Sequence, residues 1–127
     1  MNPDVMIYAE HYGDASSWMQ GDQWDTVMNY DAFMEPLTWF LTGMEKHSDD
    51  FRLDLLGDAE SFWGAMWHHS SSFAMPGLQV AMNQLSNHDH SRFLTRTGLK
   101  VGRVSLLGTE AAAEDVRESV YREAAVI

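Results

Sequence analysis

A chain of 127 residues with 45% hydrophobic side chains has room for one packed domain. Its 19 Asp and Glu against 8 Lys and Arg give a formal charge of −11, which opposes binding to nucleic acid and to anionic membrane surfaces and leaves a neutral ligand as the better fit. With no Cys there is neither a disulfide framework nor a thiolate metal site, a usage that suits the cytoplasm better than secretion.

The opening MNPDVMIYAE has no basic segment followed by a long apolar run, so it reads as neither an export signal nor a membrane anchor. Val5 to Ala9 is a short apolar run that stops at Glu10 and His11, which predicts a buried parallel strand with polar residues at its functional end. A polar stretch containing Trp18 and Trp24 follows. Thr26, Val27 and Met28 then repeat the pattern and end in Asn29 and Tyr30.

Asp31 is placed to cap a helix to about Lys46, whose Phe33, Leu37, Phe40, Leu41 and Met44 recur at spacings of three and four. Asp58 is placed to cap the next, buried along Phe62, Ala65, Met66, His69 and Phe73 and ended by Pro76 and Gly77. Leu78 to Leu85 predicts a helix end running into a third strand that delivers Asn87, His88 and Asp89 to its tip. Gly98 to Gly108, with Lys100 and Arg103, has no pattern and reads as a surface loop.

From about Thr109, Glu110, Glu114 and Asp115 come early and Arg117 and Arg122 late, as a helix dipole favours, with Val116, Val120, Ala124 and Ile127 facing inward. Strands alternating with helices predict an α/β fold on a parallel sheet, with the functional groups at its C-terminal edge. No linker or repeat divides residues 1–127, so they form a single unit.

Two clusters at predicted strand tips carry chemistry. A carboxyl at the end of a buried strand is desolvated, which favours its protonated form and suits Glu10 to general-acid work, although capping or ion pairing is the commoner duty of such a residue. Asn87, His88, Asp89 and Arg92 crowd a carboxylate, an imidazole and a guanidinium at another tip; a network in which Arg92 neutralises Asp89 is the plain alternative. His88 and His90 alternate as in a metal-binding strand, but no third ligand is placed beside them, so no metal is assigned. Trp18 and Trp24 have faces suited to stacking on sugar rings, with packing the plainer role for Trp24.

The segment AEHYGDASSWMQGDQWDTVMNY from Ala9, through Glu10, Asp14, Trp18, Gly21, Asp22, Asp25, Val27, Met28, Asn29 and Tyr30, resembles the acid-bearing strand, loop and following strand of the α-amylase family, in its neopullulanase and cyclomaltodextrinase branch. NQLSNHDHSRFLTRT, Asn83 to Thr97, is similar to the next strand and its Asn-His-Asp segment. The resemblance implies a partial TIM (β/α)8 barrel, roughly its strand-helix units five to seven, with residues 1–127 all inside the catalytic barrel domain. It also implies a retaining hydrolase of α-glucosidic bonds in maltooligosaccharides, cyclodextrins or pullulan.

On that resemblance Glu10 is the catalytic acid/base and Asp89 the catalytic stabiliser of the oxocarbenium-like transition state. His88, Trp18 and Arg92 bind substrate, Arg92 in support. The nucleophilic Asp of the family lies on the strand before the acid, and nine residues ahead of Glu10 leave no room for it, so the expectation is no nucleophile in this chain. Arg52-Leu53-Asp54 imitates the spelling of the nucleophile motif but follows Glu10, and no apolar strand leads into it. No cofactor is expected in the segment, with calcium left to the longer enzyme. The expected partners are an α-glucan oligosaccharide and the remainder of the barrel, with no nucleic acid and no membrane. A non-catalytic product that binds sugar or another chain is the rival reading, and a small metal-dependent hydrolase built on His88 and His90 a third.

Overall fold

The computed structural model describes residues 2, 4–45 and 50–112. The predicted helix residues Glu114 to Ile127, and the Lys46 end of the first predicted helix, lie outside them.

Strand β1 (Tyr8–Ala9) pairs in parallel with β2 (Thr26–Val27), Tyr8 opposite Thr26 and Ala9 opposite Val27. The third run joins β2 on the side opposite β1 through one parallel bridge, Met28 to Met82, with Asn29 N–H donating to the Met82 carbonyl at 2.9 Å. The parallel order expected from the sequence is therefore present, but the strands are shorter: Leu78 to Leu85 supplies a bridge in place of a strand. Val5 to Tyr8, expected to be buried, are 41 to 55% exposed, because β1 is an edge with β2 as its one neighbour among the described residues.

The best-packed spot lies beneath the pair. Ala15, Met19 and Val27 are buried together, and Ala9, Trp24 and Phe73 pack against them. Trp24 is thus a packing residue. A Cβ on Gly77 would lie 2.5 Å from Met19 Cε, so a larger residue there would displace the Met19 side chain, and the Gly77 carbonyl accepts a hydrogen bond from Thr26 Oγ1 at 2.7 Å.

The first helix differs from expectation at both ends. It opens with a π-helical turn, Tyr30–Met34, and continues as α1 (Glu35–Thr42), with Pro36 in its first turn. Asp31 does not cap it, because its Oδ2 already accepts from Gly13 N–H at 2.6 Å. Gly43, at φ 65°, stops the helix short of Lys46 by taking the left-handed conformation that glycine adopts without strain. Leu37 and Trp39 are buried; Phe40, half-buried, stacks on Phe62 at 4.6 Å.

Helix α2 (Ala59–Ser71) begins as read from the sequence, with Asp58 accepting from Glu60 and Ser61 N–H at 3.1 and 3.3 Å. Its stripe of Phe62, Ala65, Met66 and His69 is only half-buried, while Trp63 and Trp67 are 65 and 79% exposed. Pro76 does not end this helix. It starts a short one, α3 (Met75–Gln79), as its fixed φ and missing N–H allow. Helix α4 (Phe93–Thr97) follows, and the expected loop from Gly98 winds into α5 (Val104–Leu107) and a 3-10 turn at Gly108–Ala112. No helix among the described residues is long and apolar enough to cross a membrane.

Hydrogen bonds from Ser61 and Glu60 hold the Asp58 carboxyl below its usual range. A folded value below the unfolded one means that the cap contributes fully above the unfolded value and is lost as pH falls through the lowered one. Asp58→Ala is therefore expected to reduce the far-ultraviolet helical signal at neutral pH, and the unmodified chain to lose that increment in acid. An unchanged signal in the variant would show that Asp58 does not hold the start of α2.

Candidate active site at the strand tips

Parallel pairing in this register brings the polar residues after each run to one edge. Glu10 follows β1, Asn29 and Tyr30 follow β2, and Asn83 follows the bridge at Met82. Asn29 Nδ2 donates to Asn83 Oδ1 at 2.7 Å and ties the second and third tips together.

A second tie runs through Tyr30, which is 1% exposed and stacks on Tyr12 at 4.3 Å with 11° between the rings. Its hydroxyl donates to Glu10 Oε1 at 3.3 Å and accepts from Asn87 Nδ2 at 2.9 Å. Burial, and next the hydrogen bond with Tyr12, push the Tyr30 hydroxyl far above its ordinary pKa, so it remains a donor at neutral pH. Asn87 Oδ1 accepts from Asp89 N–H at 3.0 Å and lies 2.6 Å from His90 Nδ1. A continuous set of hydrogen bonds thus joins the side chain of Glu10 to the turn that carries Asp89.

Glu10 itself is exposed, so the desolvation expected at the end of a buried strand is absent among the described residues. Asp89 is partly exposed, and His88, with an 81% exposed side chain, has Nε2 3.4 Å from Asp89 Oδ1. Arg92 makes no ion pair with Asp89 among the described residues, so the neutralised pair weighed from the sequence is not formed. Arg103 approaches instead, its Nε donating to the Asp89 main-chain carbonyl at 2.9 Å.

Trp18 stacks on Trp24 at 5.3 Å and lies 5.1 Å from the His11 ring, one residue along from Glu10. It remains 37% exposed. Neither Trp18 nor Arg92 is hydrogen-bonded to Glu10 or Asp89 among the described residues. Arg52 and Asp54 pair with each other at 2.8 Å in an exposed turn that leads toward Asp58. Among the described residues no three His, Asp or Glu side chains could hold a metal ion; His88 is exposed while His90 is fully buried.

Sequence reasoning named both carboxylates but not the groups that connect them. Asn87 stands in the strand-tip cluster and Tyr30 in the segment that resembles the family, but their bond to each other and to Glu10 depends on the register of the runs, which the sequence does not display.

No family model matches the chain. It is 40% identical over 98 residues to neopullulanase 2 of Thermoactinomyces vulgaris, a match covering 77% of this chain and 15% of that protein. It is 34% identical over 107 residues to the cyclomaltodextrinase of Geobacillus thermopakistaniensis, covering 84% of this chain and 16% of the relative. The intracellular maltogenic amylase of Bacillus subtilis is 30% identical over 98 residues, covering 74% and 14%. The chain spans about 15% of the length of the curated relatives it matches. With identities of 30 to 40% over about three quarters of its length or more, the chain belongs to the α-amylase family, in its neopullulanase and cyclomaltodextrinase branch.

Proposed function

We propose that this chain is the acid-bearing part of a retaining glycoside hydrolase that cleaves α-glucosidic bonds in maltooligosaccharides, cyclodextrins or pullulan. The family implies a (β/α)8 parent, and residues 1–127 correspond in this reading to units five to seven of its catalytic domain. The names of the relatives supply the substrate class. The observation that carries the reading is the Tyr30–Asn87 link between Glu10 and the Asp89 turn, which keeps two carboxylates of different duty in one polar assembly.

Glu10 protonates the glycosidic oxygen as the bond to the anomeric carbon breaks, and later takes a proton from the incoming water. Asp89 stays ionised and opposes the positive charge that develops on the sugar ring. The nucleophilic carboxylate comes from the longer polypeptide. His88 binds the same sugar as Asp89, Trp18 offers its open face to a neighbouring ring, and Arg92 supports. The enzyme needs no cofactor from this segment, and any calcium is held elsewhere in the longer polypeptide. A cytoplasmic location is proposed on the absence of Cys.

Glu10→Gln in the full-length enzyme is the test. Poor leaving groups need the proton and activated aryl glycosides need it much less, so hydrolysis of maltooligosaccharides is expected to fall far more than that of an activated aryl glucoside. Equal slowing of the two substrates would overturn the acid assignment.

A further inference from the structure

We propose that Arg96 and Arg103 are positioning residues that hold the main chain on both sides of His88, and thereby set the direction in which the Asp89 carboxylate is presented to a sugar. The inference deepens the function proposed above and rests on the role given there to Asp89.

Residues 85–91 form no helix or strand, so their shape rests on the bonds of Asn87 within the segment and on bonds that reach it from outside. Arg96, on α4, is 1% exposed, and its Nη2 donates to the Leu85 carbonyl where the segment starts. Burial pushes its guanidinium down to about 10, which leaves it charged at neutral pH. A charge so deep is costly unless hydrogen-bonded; among the described residues its Nε and Nη1 have no hydrogen-bond partner, and the bond from Nη2 goes to the segment carrying Asp89. Arg103 reaches the other side of His88 through the Asp89 carbonyl.

The placement of Arg103 follows from its neighbour. Gly102 N–H donates to Ser91 Oγ at 2.8 Å, and a Cβ on Gly102 would stand 2.7 Å from Thr95 Cγ2, so only glycine allows the loop this close to α4. The loop therefore lies against the segment it serves, and the guanidinium beside it meets the carbonyl. A carbonyl held in this way fixes the peptide plane next to Asp89, while the Asn87 side chain fixes the Asp89 N–H.

The test is a double-mutant cycle in the full-length enzyme, read as kcat/KM on an activated aryl glucoside, with thermal melts to count folded protein. Arg103→Met is expected to lower kcat/KM about 100-fold, the effect of a misplaced catalytic group. Combined with Asp89→Asn it should cost little beyond Asp89→Asn alone, because it acts through that carboxylate. A role in stability alone would leave kcat/KM per folded enzyme unchanged, and an effect independent of Asp89 would multiply the two losses. Arg103→Lys, which keeps one donor on a different reach, should give the same cycle with a smaller loss, and serves if the Met variant does not fold. Wild-type turnover in Arg103→Met, or multiplied losses in either cycle, would overturn the positioning role. If Asp89→Asn alone left activity intact, the proposed function would fail instead.

Discussion

Asp89→Asn in the full-length enzyme is expected to lower kcat/KM about 100- to 1,000-fold on maltooligosaccharides and activated aryl glucosides alike. The change keeps the shape of the side chain and the backbone bond to Asn87, so it removes charge and little else. That charge opposes a cation that forms at the sugar whichever group departs, so a better leaving group gives no escape. The contrast with Glu10→Gln, whose effect depends on the leaving group, separates the two duties. A loss confined to the maltooligosaccharides would place Asp89 with proton transfer and end its assignment as stabiliser.

The isolated chain of 127 residues is expected to release no sugar from maltooligosaccharides. A retaining mechanism needs a second carboxylate about 5 to 5.5 Å from the acid, and Asp54, whose spelling imitates the nucleophile, is occupied by Arg52 in an exposed turn. The same chain should bind a hydrophobic dye and melt without a sharp transition. Val5, Met6, Ile7 and Tyr8 lie open along the β1 edge, Trp63 and Trp67 along α2, and Leu53 and Leu106 are each 66% exposed. An open edge and this much apolar surface favour association over a closed monomer. Turnover by the pure chain that is lost on Glu10→Gln would overturn the first expectation. A cooperative melt with dispersed, protected amide signals would overturn the second.

The parts of this molecule legible in the sequence are those decided within a few residues. Asp58 caps α2 because its carboxylate needs only the N–H groups two and three positions on, and the apolar runs before Glu10 and Asn29 were read as parallel strands from composition alone. What was not legible depends on distant partners. Asp31 looks like a cap until Gly13 claims its oxygen from 18 residues away. Pro76 looks like a breaker of the helix before it, yet stands in the first turn of the helix after it. Burial of Val5 to Ala9 was inferred from hydrophobicity, which reports what a residue prefers and not whether a neighbour covers it. At the site, Glu10 and Asp89 were found from residue type and resemblance. The bonds made by Tyr30, Arg96 and Arg103 required the register of the strands and the path of the loop after α4.

The ties between the strand tips also fix a sequence of events. Thr26 to Gly77 spans 51 positions, Asn29 to Asn83 54, and Tyr30 to Asn87 57. Closing loops of that length loses chain entropy before any contact repays it, whereas the turns of α1 and α2 form between near neighbours. The helices between the tips are therefore expected to condense first and draw the ends together, with the polar link at Tyr30 closing after them. During synthesis Glu10 leaves the ribosome long before Asn87 exists, so the acid's surroundings stay unfinished until the Asn-His-Asp turn has emerged.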